Sequence, residues 1–121
     1  MKRAAVALGC LLLLLCGGGE ADAHVWLDHA LPAVGSSVHP SPPVLRIWFS
    51  QELEPAFSAV RVVDQEGNQV DRNDPQVDGK DRTVLTLSLP PLNPGTYKVI
   101  WRVLSVDTHV AEGSFTFRVA P

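Results

Sequence analysis

Along most of the chain, apolar and polar side chains alternate in short runs. Leu45, Ile47 and Phe49 alternate with Arg46 and Trp48, and Leu85, Leu87 and Leu89 alternate with Thr86 and Ser88. Tyr97, Val99, Trp101 and Val103 alternate with Lys98, Ile100 and Arg102. Phe115, Phe117 and Val119 do so with Ser114, Thr116 and Arg118. A repeat of two puts successive side chains on opposite faces of an extended backbone, so each run predicts a strand with one buried face and one wetter face. A less regular run, Ala59 to Val63, and a short one near Val25 to Leu27 predict two more. Turn-forming clusters separate the runs: Pro40-Ser41-Pro42-Pro43, Glu66-Gly67-Asn68, Asp78-Gly79 and Asn93-Pro94-Gly95. No stretch repeats with a helical period. Roughly six or seven short strands in about a hundred residues predict an all-β fold, an antiparallel Greek-key β-barrel or sandwich. No internal repeat, low-complexity tract or linker divides it, so residues 24–121 read as one domain.

The first 23 residues follow another logic. Lys2 and Arg3 precede an uncharged apolar run, Ala4 to Cys16, which Gly17-Gly18-Gly19 interrupts before the small-x-small sequence Ala21-Asp22-Ala23. That order predicts a secretion signal over residues 1–23, cleaved before His24. The apolar run falls short of the roughly 20 residues that a membrane-crossing helix needs, and no later segment is long and apolar enough to serve as a span. A lipid-anchored precursor fits less well. Leu15 stands where a small residue is wanted before Cys16, and Gly9-Cys10 leaves too short an apolar stretch upstream.

Cleavage changes the chemistry available. Both cysteines and the one methionine lie in the leader, so the mature domain has neither thiol nor thioether. An exported domain of this kind must be held by its core, with no disulfide to help. The leader removes two bases and two acids, which leaves the net charge at −3. Such a balance lacks the dense basic face that nucleic acid requires, and no nucleic-acid partner is expected.

A start at His24 also frees an α-amine on a residue that carries an imidazole. Amine and Nδ1 can close a six-membered chelate ring on one ion, a histidine brace. The amine's pKa near 8 lets a tightly bound metal displace its proton at neutral pH. Further along, Asp107-Thr108-His109 offers a carboxylate and a second imidazole. On an extended segment, residues two apart share a side, so Asp107 and His109 are expected to converge. Added to the chelate, they make an N,N,N,O set, which suits tetragonal Cu(II). Each half alone has an ordinary reading, as a frayed terminus and as a turn with a surface histidine beside it.

Together, the two halves and their surroundings resemble the CopC family of exported copper-binding proteins. The matching segments are His24 itself, Pro32-Ala33-Val34-Gly35 and Ile47-Trp48-Phe49-Ser50. They continue with Leu92-Asn93-Pro94-Gly95-Thr96-Tyr97-Lys98-Val99, Trp101 through His109, and Gly113-Ser114-Phe115-Thr116-Phe117. The resemblance implies a Greek-key barrel grouped with cupredoxin-like or immunoglobulin-like sandwiches. It implies a Cu(II) site from His24, Asp107 and His109, and a periplasmic role in copper homeostasis or resistance without enzymatic activity. An inner-membrane copper transporter of the CopD type is the expected partner.

The chain departs from the family pattern at three places. Gln51 stands where several members carry a Glu near the copper, and Val110 replaces the usual Pro after the histidine. The Met-rich loop by which some members hold Cu(I) is missing, and soft thioethers are what select that ion. Glu52 is expected to face away from Gln51. His29 and His39 are expected outside the site, His29 on the face opposite to His24 and His39 solvated before Pro40. Trp101 falls on the apolar parity and Trp48 on the polar one, the latter as packing between sheets or as a surface aromatic. The acidic stretch Asp71 to Asp81 lacks the spacing of a calcium loop and is expected to be a solvated turn region. A competing reading is a histidine-brace copper oxygenase of the lytic polysaccharide type. An oxygenase must cycle to Cu(I) and keep a coordination position open, whereas a carboxylate in the plane fills that position and favours Cu(II).

Overall fold

A computed structural model describes residues 24–121; the leader expected over residues 1–23 lies outside them. Eight strands appear in chain order: β1 (Leu27–Leu31), β2 (Ser37–Val38), β3 (Val44–Phe49), β4 (Ala59–Val63), β5 (Gln76–Val77), β6 (Val84–Ser88), β7 (Gly95–Leu104) and β8 (Val110–Val119). One 3-10 turn, Pro55–Phe57, precedes β4. The strands form two four-stranded sheets ordered β1-β3-β6-β5 and β2-β8-β7-β4. This is a β-sandwich, as the alternation predicts. Three features differ from expectation. The first strand, expected near Val25 to Leu27, spans Leu27–Leu31 instead. β2 and β5 have two residues each, too short to show a period. β2 also runs parallel to β8, pairing Ser37 with Arg118 and Val38 with Val119, while every other strand pair is antiparallel.

The apolar positions of each run face the other sheet. Leu45, Ile47 and Phe49 of β3, Leu85 and Leu87 of β6, Val99 and Val103 of β7 and Phe117 of β8 are buried in one continuous core. Burying each such side chain contributes on the order of 1.5–3 kcal/mol. Trp101 joins them, its ring edge-on to Phe49 with centroids 5.1 Å apart. It fits because its cross-strand partner is Gly113. A methyl group there would lie 2.6 Å from Trp101 Cζ2, so the glycine is required by close approach. Tyr97 stacks on Phe117 and donates its hydroxyl to the Asn93 carbonyl at 2.6 Å. Burial, with Asp64 and Glu66 nearby, raises its pKa.

The acidic stretch caps backbone. Asp71 accepts from the N–H groups of Val62 (2.8 Å) and Asn73 (2.7 Å), and Asp74 from that of Ser88 (2.8 Å). Asp78 accepts from the N–H of Lys80 (2.8 Å), and Asp81 from the N–H and hydroxyl of Thr83. These bonds to Ser88 and Thr83 hold the Asp74 and Asp81 carboxyls below their ordinary pKa, since they favour the charged form.

Candidate metal centre

Three segments meet at one end of the sandwich. The N-terminal segment is fixed by Val25, which is buried in the core, and by Trp26. The Trp26 N–H donates to Ser50 Oγ and its carbonyl accepts from the Ser50 N–H, both at 2.9 Å. His24 is thereby held at the rim, exposed, with the Gln51 amide donating to its carbonyl at 3.5 Å. The second segment follows β3. Leu53 is fully buried there, plugging the end of the core, and bridges to Ser105. The Val106 N–H donates to the Glu52 carbonyl at 3.0 Å, which ties this segment to the third.

The third segment is the connection between β7 and β8. Leu104 pairs with Val110, so residues 105–109 must reverse the chain. Ser105 organises that reversal. Its carbonyl accepts from the Thr108 N–H and its own N–H donates to the His109 carbonyl, each at 2.9 Å. Its Oγ accepts from the His109 N–H at 3.2 Å. Thr108 takes a left-handed φ of 68°, sparsely populated for a β-branched residue. The expectation of an extended Asp107–His109 segment is therefore corrected. Closing a five-residue hairpin loop forces a turn, and the same-side rule for residues two apart does not apply through it. Asp107 sits exposed in this turn, while His109 is half-buried.

The structure nonetheless brings His24 and His109 together, with ring centroids 6.3 Å apart and planes at 68°. Two imidazoles on opposite sides of one ion stand about 6 Å apart, counting about 2 Å from metal to nitrogen and about 1 Å from nitrogen to ring centre on each side. His109 Nδ1 is buried without a hydrogen-bond partner, and so is Gln51 Oε1. Leaving a buried polar atom unpaired costs about 1–3 kcal/mol, and both stand on the segments that meet at this end. Imidazole nitrogen is a ligand that suits a borderline metal ion. Asp107 does not close a group with the two histidines: among the described residues, no three His, Cys, Asp or Glu side chains stand close enough to hold a metal ion.

The remaining histidines stand apart from this pair. His29, on β1, stacks on its cross-strand partner Trp48 at 4.3 Å and 9°, and its Nδ1 meets the Asp28 carboxylate at 2.7 Å. Trp48 is thus a half-buried outer-face aromatic covered by a histidine. His39 is exposed, with Nδ1 3.3 Å from the Ala120 carbonyl. Sequence reasoning missed Leu53 and Ser105 as organisers of the site, and left Gln51 without a placement. Leu53 carries a signal, an apolar residue isolated in a polar stretch; a serine such as Ser105 carries none.

Comparison with known proteins places these features in context. A family model described as CopC domain matches residues 27–120. Copper resistance protein C from Pseudomonas syringae pv. tomato is 34% identical over 105 residues, covering 82% of each chain. The crystal structure of CopC from Methylosinus trichosporium OB3b superposes with a TM-score of 0.76 at 35% identity, over 81% of this chain and 95% of that one. Copper transport protein CutJ from Bacillus subtilis is 24% identical over 120 residues, which make up 98% of this chain but 22% of that protein.

Proposed function

The chain belongs to the CopC family, and from that premise we propose that its mature form, beginning at His24, carries one Cu(II) ion as cargo in the periplasm. The ion is held by the α-amine and imidazole of His24, by an imidazole nitrogen of His109 and by the Asp107 carboxylate. The observation that carries this reading is the pairing of His24 with His109, whose Nδ1 is buried and unpartnered. The N,N,N,O set favours Cu(II), the divalent ion at the top of the affinity order, and the absence of sulfur from residues 24–121 disfavours Cu(I). Asp107 joins by a swing of its exposed side chain, which forms no hydrogen bond or ion pair among the described residues. Its negative charge stabilises the oxidised ion and fills the position where oxygen would have to bind, so the protein carries copper rather than turning it over. The recipient is an inner-membrane copper transporter of the CopD type.

The brace requires a free amine, which a peptide nitrogen cannot replace at neutral pH. The test compares a chain starting at His24 with the same chain preceded by a single glycine, after intact mass has fixed where the exported protein begins. Competition titration should show the extended chain weaker for Cu(II) by several powers of ten. Equal affinity would refute the brace, and so would a natural start elsewhere.

A further inference from the structure

Six large apolar side chains are exposed among the described residues, and four of them stand in or beside the segments of the metal end. Trp26, Phe57, Val106 and Val110 are 56%, 68%, 39% and 57% exposed. Trp26, Val106 and Val110 stand within three residues of His24 or His109 in the chain, and backbone hydrogen bonds tie Phe57 to the same end. Trp26 exchanges two hydrogen bonds with Ser50, and Val106 donates to Glu52. Phe57 donates its N–H to Glu54, whose own N–H reaches Leu104, the strand partner of Val110. Single apolar residues scattered on a surface need no explanation, but a set gathered around one site does. None of them fills the core or touches the ion in the proposed coordination.

We propose that this apolar rim is the docking surface for the protein that receives the copper, a copper transport protein like the part of CutJ outside the shared segment. The inference rests on the Cu(II)-carrier reading and names the surface used for transfer. In CutJ, a segment similar to nearly all of this chain is about one fifth of a longer copper transport protein, so there the segment and the remainder are joined in one polypeptide. Separate chains need a contact that restores this proximity, and a rim around the ligands brings the donor site within reach of an acceptor. Charge narrows the occupant further. Glu52, Glu54 and Asp107 share the rim, and none forms an ion pair among the described residues, where the two pairs are His29–Asp28 and Arg102–Glu112. Unpaired carboxylates disfavour a second copy facing the same rim, and equally an anionic lipid surface; they favour an acceptor mouth that is apolar with a basic fringe.

The test uses the Cu(II)-loaded mature protein and the purified transport protein of the same cell that is similar to the remainder of CutJ. Phe57→Ser with Val110→Ser should keep Cu(II) affinity within about threefold and slow copper transfer at least tenfold. A photo-crosslinker at position 57 should trap the transporter, and one at Val34, also exposed but on another loop, should not. Glu54→Lys should slow transfer at low salt and lose that effect at high salt. Unchanged transfer by the double variant would overturn the proposal, as would equal trapping from both positions or capture of a second copy of this chain. Failure of the unmodified protein to bind Cu(II) would instead refute the carrier reading on which it rests.

Discussion

Gly113→Ala tests how the two sheets are locked together beneath the metal end. The new methyl would sit 2.6 Å from Trp101 Cζ2 and 3.1 Å from Cε2, where ordinary contact needs about 3.5 Å or more. Roughly 1 Å of movement is required, and little is available. Trp101 is buried, and Phe49 packs edge-on against its ring. The backbone of Gly113 is not left-handed, so alanine adds no conformational strain and the cost is steric alone. Overpacking of this kind costs about 1–3 kcal/mol. For a domain of about a hundred residues, each kcal/mol lowers Tm by about 4–8 °C, so a fall on the order of 10 °C is expected in a thermal melt. Trp101→Phe in the same chain should recover part of the loss, because a phenyl ring does not reach the new methyl. A melting temperature within 1 °C of the parent would refute the reasoning. So would losses for the two substitutions that simply add, since contacting residues should couple.

Other outcomes follow from the same geometry. His109→Ala should weaken Cu(II) more than a hundredfold, beyond the tenfold to hundredfold typical of groups that only support a ligand, and Asp107→Ala should weaken it less, while His29→Ala and His39→Ala leave titrations unchanged. His29→Ala should instead lower stability by about 0.5–1.5 kcal/mol in denaturant unfolding, through loss of the stack on Trp48. Asp74→Asn and Asp81→Asn should destabilise at neutral pH. Both carboxyls titrate below their ordinary value of 3.8 in the folded protein, so their contribution is full above that value and fades as pH falls below it; melts of variant and parent should converge there. Bound Cu(II) should be reduced slowly by ascorbate, and Asp107→Ala should accelerate both reduction and peroxide formation. Fast turnover by the unmodified protein would favour an oxygenase.

Period-2 alternation made β3, β6, β7 and β8 legible, and the buried faces of β3, β7 and β8 follow it residue by residue; the less regular β4 was also placed, and β1 only in part. This works because a strand packed on one face must put its apolar residues at every second position, whichever strand lies beside it. His24 and His109 were singled out through chemistry, one as the terminus that the expected cleavage would free and the other as a ligand type in a specific segment. Strand order, the parallel pairing of β2 with β8 and the sheet to which each strand belongs were not. They depend on contacts between residues far apart in sequence, and a two-residue strand carries no period at all. The path of residues 105–109 was misread for a related reason. Alternation describes the chain while it stays extended, but the hairpin between β7 and β8 imposes a reversal that Ser105 and the left-handed Thr108 accomplish. Only the folded chain decided that His24 meets His109 across the end of the sandwich, because Val25, Leu53 and the hairpin must all pack before the two rings come within 6.3 Å.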